Sequence, residues 1–263
     1  MAFWERHPSI EYLNLASNLL RQGDKHWFGG SILPNKFLPR LLHLRVQLKD
    51  ALVLTPILGQ LLSLSIHRSI NAQIPYLLRS VCPNGLPKLK SLGIGQTRHS
   101  TRKNKKTESS LWYETADGVF VCGKVRWSTS VLDGFMHSVI RGAPNLEEIG
   151  FHGSCYLLAE FMSIASHLNS FTHLKHLYFQ GYNAVPVSEA ERDFGAPARS
   201  LADAVPRLVT ITNISPFNEL YTVARIKRGE NAQVTSVEFG NGNGMKIGYE
   251  DQAFPWAPRD TMA

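Results

Sequence analysis

Leu61-Leu62-Ser63-Leu64-Ser65-Ile66, Leu89-Lys90-Ser91-Leu92-Gly93-Ile94, Leu146-Glu147-Glu148-Ile149-Gly150-Phe151 and Leu174-Lys175-His176-Leu177-Tyr178-Phe179 share one spacing: an apolar residue, two variable ones, an apolar, one variable, an apolar. The same spacing recurs at Ile10, Leu13, Leu15, at Leu41, Leu44, Val46, and at Val234, Val237, Phe239. A weaker copy has Leu208 and Ile211, with Asn213 in the third place and Ile214 beside it. The copies start at 10, 41, 61, 89, 146, 174, 208 and 234, so the steps are 31, 20, 28, 57, 28, 34 and 26 residues. The long step is close to two periods and predicts a further unit near residue 119, where Val119-Phe120-Val121-Cys122 is apolar.

The last two apolar residues of each copy lie two apart and so face one side of a short strand. The first turns the chain towards the same core. No unit can bury that face alone, but units stacked as a parallel sheet can. Pro8, Pro39, Pro87, Pro144 and Pro206 stand two residues before the first apolar position, where a fixed φ and a missing donor suit strand entry.

Between the strands the period changes to 3.6. Val131, Leu132, Phe135, Met136, Val139 and Ile140 predict a helix over 130–141, with Thr129 or Ser130 as its cap, Gly142 at its end and Pro144 beyond. Leu157, Leu158, Phe161, Met162, Ala165 and Leu168 predict another over 156–168. A third is expected after Ser215 and Pro216 on Leu220, Val223, Ala224 and Ile226, and a shorter one over 200–205. Two more are expected near 52–58 and 74–81, with Pro56 and Pro75 early in each. This alternation predicts an α/β solenoid, with a curved parallel sheet on the concave side and helices on the convex side. It would be one domain over 1–263 with about nine irregular units. A doubly wound α/β fold alternates too, but its strands are buried on both faces and read as continuous apolar runs. These strands read apolar, polar, apolar.

The pattern breaks between residues 97 and 127. A polar, basic run is followed by Leu111-Trp112-Tyr113 and Val119-Phe120-Val121 on either side of Asp117-Gly118, a strong turn signal. A polar loop plus a hairpin inserted in the array is expected. Arg98, Arg102, Lys103, Lys105 and Lys106 lie in the run, and without them the net charge of +7 falls to +2. The excess of positive charge is thus local. It reads as a solvated loop, a nuclear-localisation patch or a nucleic-acid contact, with Trp112 and Tyr113 able to stack on bases or to pack the hairpin.

The chain has 263 residues, 43% hydrophobic and 19% charged, the balance of a globular protein able to bury a core without staples. The apolar stretch from Ala51 to Leu62 is broken by Thr55, Pro56, Gly59 and Gln60 and is too short for a bilayer span of about 20 residues. Trp4-Glu5-Arg6-His7-Pro8 stands where a signal peptide would be apolar. Cys82, Cys122 and Cys155 are odd in number and far apart, as expected of reduced buried thiols. A cytoplasmic or nuclear location is expected.

The units resemble the leucine-rich-repeat regions of F-box-associated proteins expanded in mushroom-forming fungi. The matching stretches are Phe3-Trp4-Glu5-Arg6-His7-Pro8-Ser9-Ile10-Glu11-Tyr12-Leu13, then 133–148 from Asp133-Gly134-Phe135 to Asn145-Leu146-Glu147-Glu148, and Ala253-Phe254-Pro255-Trp256. The resemblance implies a leucine-rich-repeat fold and a role in recognising substrates for a cullin ubiquitin ligase, whose adaptor is bound by an F-box of about 40 residues. A repeat strand beginning at Ile10 leaves no room for that F-box, and no polar cap is evident before it. Ligase adaptor binding is thus expected only with an F-box supplied elsewhere. A truncated fragment of a longer protein is the alternative.

Solenoids of this kind bind through the variable positions of the concave strands. Here these are Tyr12 and Asn14; His43, Arg45 and Gln47; Ser63, Ser65 and His67; Glu148, Gly150 and His152; His176, Tyr178 and Gln180; Ser236 and Glu238. Tyrosine and arginine are frequent interface anchors, while an ordinary solvated sheet face has the same composition. His173 and His176 could pair on a metal, but no third ligand is near in sequence. Gly93-Ile94-Gly95 follows a strand but meets Arg98 and a basic loop instead of the helix a dinucleotide fingerprint needs. Gly240-Asn241-Gly242-Asn243-Gly244 lacks the Lys-Ser/Thr of a phosphate loop and reads as a flexible turn before Lys246-Ile247. No nucleophile elbow and no acid–base pair is evident. The expectation is a protein-interaction scaffold without catalytic residues, metal, cofactor or membrane attachment. Nucleic-acid association through 98–106 is the alternative.

Overall fold

A computed structural model describes residues 2–15, 27–28, 33, 37–69, 73–82, 84–96, 112–115, 118–121, 129–156, 158–181, 187–214 and 221–242. In chain order the strands are β1 (Tyr12–Asn14), β2 (His43–Gln47), β3 (Ser63–Ser69), β4 (Ser91–Gln96), β5 (Trp112–Thr115), β6 (Gly118–Val121), β7 (Glu148–Tyr156), β8 (His176–Gly181), β9 (Thr210–Ile214), β10 (Tyr221–Arg228) and β11 (Val234–Gly242). The helices are α1 (Ala2–Glu5), α2 (Leu48–Val53), α3 (Thr55–Leu58), α4 (Gln73–Tyr76), α5 (Thr129–Gly142), α6 (Ala165–Ser170) and α7 (Val187–Ala204). A π-helical turn at Leu77–Val81 extends α4, and a 3-10 helix at Leu158–Ile164 leads into α6.

Nine strands form one open α/β sheet in the order β1-β2-β3-β4-β7-β8-β9-β10-β11. The pairs from β1 to β9 are parallel, and β10 is antiparallel to both β9 and β11. Sheet order therefore follows chain order, apart from the excursion between β4 and β7.

The units that enter the sheet as β2, β3, β4, β7, β8 and β9 share a local rule. In four of them the first apolar residue closes a turn: the amides of Leu41, Leu61, Leu89 and Leu208 donate to the carbonyls three residues earlier, at Leu38, Leu58, Leu86 and Val205. The next two amides then donate to one carbonyl of the preceding unit. Leu42 and His43 share Glu11 O, Leu62 and Ser63 share Leu42 O, and Lys90 and Ser91 share Leu62 O. Glu147 and Glu148 share Lys90 O, Lys175 and His176 share Glu147 O, and Val209 and Thr210 share Lys175 O. This repeated fork locks the register, so Leu13, Leu44, Leu64, Leu92, Ile149, Leu177 and Ile211 align across the sheet.

These residues are buried with helix residues such as Ala51, Leu58, Met136, Val139, Leu168 and Leu201 in one continuous core. The helices thus cover one face of the sheet, and burial of their stripes supplies the drive that no single unit has. A file of rings links the layers: Phe151, Phe161, Phe179, Phe194 and Phe239 have successive centroids 5.4, 5.5, 5.9 and 5.7 Å apart. At the β1 end, the Trp4 ring of α1 lies 5.6 Å from Phe28 and 6.2 Å from Phe37 and packs against the core that includes Leu13 and Leu15.

Several expectations need correction. The segment predicted as a helix on Leu220, Val223, Ala224 and Ile226 is strand β10. Thr222, Ala224 and Ile226 are its buried residues, a period of two that the adjacent Val223 obscures. The last copy, at Val234, is not a parallel unit but the antiparallel partner of β10, so the sheet is mixed. No unit stands at residue 119 in the array: β4 bonds directly to β7, and 118–121 pairs with 112–115 as the separate hairpin that Asp117-Gly118 predicts. Gly240 to Gly242 continue β11 instead of forming a flexible turn. The short helix at 200–205 is the end of α7, whose first half is too polar to announce itself and which holds Pro197 within it. The helix expected from 156 begins later, because β7 runs on to Tyr156.

Candidate functional site

The variable positions singled out in the sequence lie on the face of the sheet opposite the helices. The register arranges them in lateral rows. One row runs Tyr12, His43, Ser63, Ser91, Glu148, His176 and Thr210, and continues on the antiparallel strands as Arg225 and Glu238. A second runs Asn14, Arg45, Ser65, Gly93, Gly150, Tyr178 and Thr212. At the C-terminal ends Gln47 pairs with His67, Gly95 with His152, and Gln180 with Ile214. Neighbours along a row are about 4.8 Å apart, within reach of one another's side chains.

The face is not the evenly solvated surface that polar composition suggests. Tyr12 is 47% exposed and Asn14, His43, Gln47, His67, His176 and Tyr178 are half-buried, whereas Arg45, Ser65, Ser91, Glu148 and Gln180 are buried. Cross-strand hydrogen bonds account for part of this. Arg45 Nε donates to His67 Nε2 at 2.8 Å, and Ser65 Oγ lies 3.3 Å from the same nitrogen. A guanidinium can only donate, so His67 Nε2 is the acceptor of this bond. Ser91 Oγ donates to Glu148 Oε2 at 2.8 Å, and His176 Nδ1 meets Thr210 Oγ1 at 2.8 Å. Burial holds the His43 imidazole below its ordinary value, with the carboxylate of Glu11 opposing. On the antiparallel strands, Lys227 Nζ lies 3.6 Å from Glu238 Oε2.

Ser91 and Thr210 join the predicted residues. They occupy the same variable positions of their units and were readable from the spacing. Arg225 was not, since its segment reads as helix. His152 is placed by its backbone register alone, and the predicted basic residues Arg98, Arg102, Lys103, Lys105 and Lys106 lie outside the described residues. His173 is exposed ahead of β8, and no group of three metal-ligating side chains converges among the described residues. Cys82 is a free, buried thiol whose pKa burial raises, so it is not poised as a thiolate. No described helix is long and apolar enough to cross a membrane.

No family model and no curated protein matches the chain in sequence. Among solved structures it is similar to the leucine-rich repeat-containing protein LegL7 from Legionella pneumophila, with a TM-score of 0.36 and 11% identity over 76% of this chain. The chain spans 50% of that protein's length. The hydrogen-bond fork and the strand register, not this likeness, carry the repeat reading.

Proposed function

We propose that the chain is a leucine-rich-repeat-type α/β solenoid that serves as a protein-binding scaffold, holding a partner against the polar face of its sheet. The register is the observation that carries this reading. Tyr12, Asn14, His43, Gln47, His67, His176 and Tyr178 stand in rows across parallel strands, at positions where the core makes no demand. A backbone locked by the repeated fork holds them with little entropy left to lose on binding, and side chains at such positions set specificity without disturbing the fold. On this reading the chain has no catalytic residue and no cofactor of its own, and works in the cytoplasm or nucleus.

The finer form of the proposal is a substrate-recognition domain related to F-box ubiquitin-ligase receptors of fungi. The resemblance at 3–13, 133–148 and 253–256 supports it. A second reading, association with nucleic acid, is favoured by the five cations at 98–106 that the sequence inserts between β4 and β7.

Affinity purification from nuclease-treated native lysate tests these readings, using wild type, a Tyr12→Ala/Tyr178→Ala variant and a chain lacking 98–106. A specific protein held by wild type and the deletion, and lost from the double variant, supports the scaffold. Return of the ligase adaptor with it supports the finer role. A partner unaffected by the double variant counts against the face, and binding that needs both nucleic acid and 98–106 supports the second reading.

A further inference from the structure

The two ends of the sheet differ. β1 has three residues, whereas β11 has nine, Val-Thr-Ser-Val-Glu-Phe-Gly-Asn-Gly. Among the described residues β11 is hydrogen-bonded on one side only, to β10. An edge strand presents a row of N–H and C=O groups to any further strand, and proteins guard such rows with lysine, proline, bulges or short length. β11 has no lysine and no proline. Its irregularity lies beside Val234, so Ser236 to Gly242 run in regular register with β10.

The side chains of this edge suit a copy of itself. Val237 and Phe239 stand opposite Ile226 and Ala224 on the helix side, half-buried at the end of the core. Ser236, Glu238 and Gly240 stand on the polar side. Register places Glu238 opposite Arg225, yet the two lean apart. Glu238 pairs with Lys227 at 3.6 Å, while Arg225 Nη1 reaches over Gly240, 3.1 Å from where a Cβ would stand. Arg225 is exposed and has no carboxylate partner among the described residues. Its charge thus lies over an edge residue that has no side chain of its own.

We infer that β11 pairs with β11 of a second copy, antiparallel, about a twofold axis at Phe239. In that register Phe239 faces its own copy, Glu238 faces Gly240 and Ser236 faces Gly242. Directly opposed residues have Cβ positions about 4.5–5.5 Å apart, so each Glu238 carboxylate comes within reach of the guanidinium that the other copy holds over Gly240. The twofold makes two such contacts, and the Phe239 rings meet on the helix side as a cross-strand aromatic pair. An axis at Glu238 would set like charges opposite each other, and one at Val237 would leave Glu238 facing Ser236, away from Arg225. The pairing joins two sheets with both polar faces on the same side. A partner that carries two recognised segments is then held twice, and more tightly than by one copy. The inference does not depend on which partner the polar face takes.

Sedimentation equilibrium of the full chain at micromolar concentration tests it, with Arg225→Glu and Glu238→Arg variants. Wild type should sediment as a dimer that weakens as salt rises. Each variant alone opposes like charges at both contacts and should dimerise at least tenfold more weakly. An equimolar mixture of the two variants opposes unlike charges at both contacts, so a heterodimer should return. Both side chains are exposed, so thermal melts should match wild type; Arg225→Gln and Glu238→Gln, each weakening the dimer to a smaller degree, replace a variant whose melt shifts. A wild-type chain that stays monomeric, a dimer indifferent to both substitutions, or a mixture no tighter than its components overturns the inference.

Discussion

Phe194 joins the parallel array to the antiparallel hairpin, and its removal tests how the two are coupled. Its side chain is 4% exposed, with Phe179 of β8 at 5.9 Å on one side and Phe239 of β11 at 5.7 Å on the other. Phe194→Ala removes a buried ring from a site bounded by β-strands on the register, which cannot collapse freely, so the expected cost is about 3–5 kcal/mol. About 0.5–1.5 kcal/mol of that belongs to each ring pair. Phe194→Leu keeps most of the volume and should cost less than about 1.5 kcal/mol. For a chain of this length the alanine variant should melt roughly 10 °C lower, at about 2–4 °C per kcal/mol. Urea titration gives the free energies, and a Phe179/Phe194 double-mutant cycle isolates the pair. Because a repeat unit contacts only its neighbours, hydrogen exchange should quicken first in α7, β10 and β11, while β2 to β4 keep their protection. A cost below 1 kcal/mol, or exchange that rises evenly across the sheet, would refute the reasoning.

Three further outcomes follow from particular contacts. Arg228 clamps the end of α7, with Nη2 donating to Ala202 O at 2.8 Å and more weakly to Val205 O and Leu208 O, and Nη1 to Ala232 O at 2.9 Å. Arg228→Met should cost about 2–3 kcal/mol in urea melts, since it leaves helix-end carbonyls without their charged donor; a neutral result would show that water replaces it. Gly85 has φ +65°, and a Cβ there would stand 2.7 Å from Gly142 O, so Gly85→Ala should lower stability by at least about 1–2 kcal/mol in thermal melts; an unchanged melt would refute this. The His43 imidazole has its folded pKa lowered from 6.5, so the unfolded chain takes up the proton first. That contribution to stability is whole above about pH 6.5 and is lost as the pH falls below it. Urea midpoints at pH 7.5 and 5.5 should differ less in His43→Gln than in wild type, and an equal difference would discount the residue.

What the sequence made legible was whatever repeats. Leu61, Leu89, Leu146, Leu174 and their companions announce strands because one spacing serves both the turn and the core, and the same spacing yields the rows of the polar face. The errors lie where repetition stops. Val223, Ala224 and Ile226 fit a helical stripe as well as a strand, and only pairing to β9 and β11 decides between them. The apolar run at 119 has the right distance from its neighbours, yet its backbone pairs with 112–115 in a separate two-stranded sheet. Trp4 meets Phe28 and Phe37, a contact between segments with no shared period. On the site, spacing revealed which residues face away from the core but not their burial: Arg45, Glu148 and Ser91 are enclosed, and each bonds to a side chain on the adjacent strand of the sheet.

The central claim is that this chain binds through the polar face of its sheet. A photo-crosslinking amino acid placed at Tyr12 or Tyr178 on that face, and at exposed Tyr76 or Met162 in the helical layer, tests it in native lysate. The account predicts that positions 12 and 178 crosslink to the same protein while 76 and 162 do not. Crosslinks confined to the helical layer would contradict it.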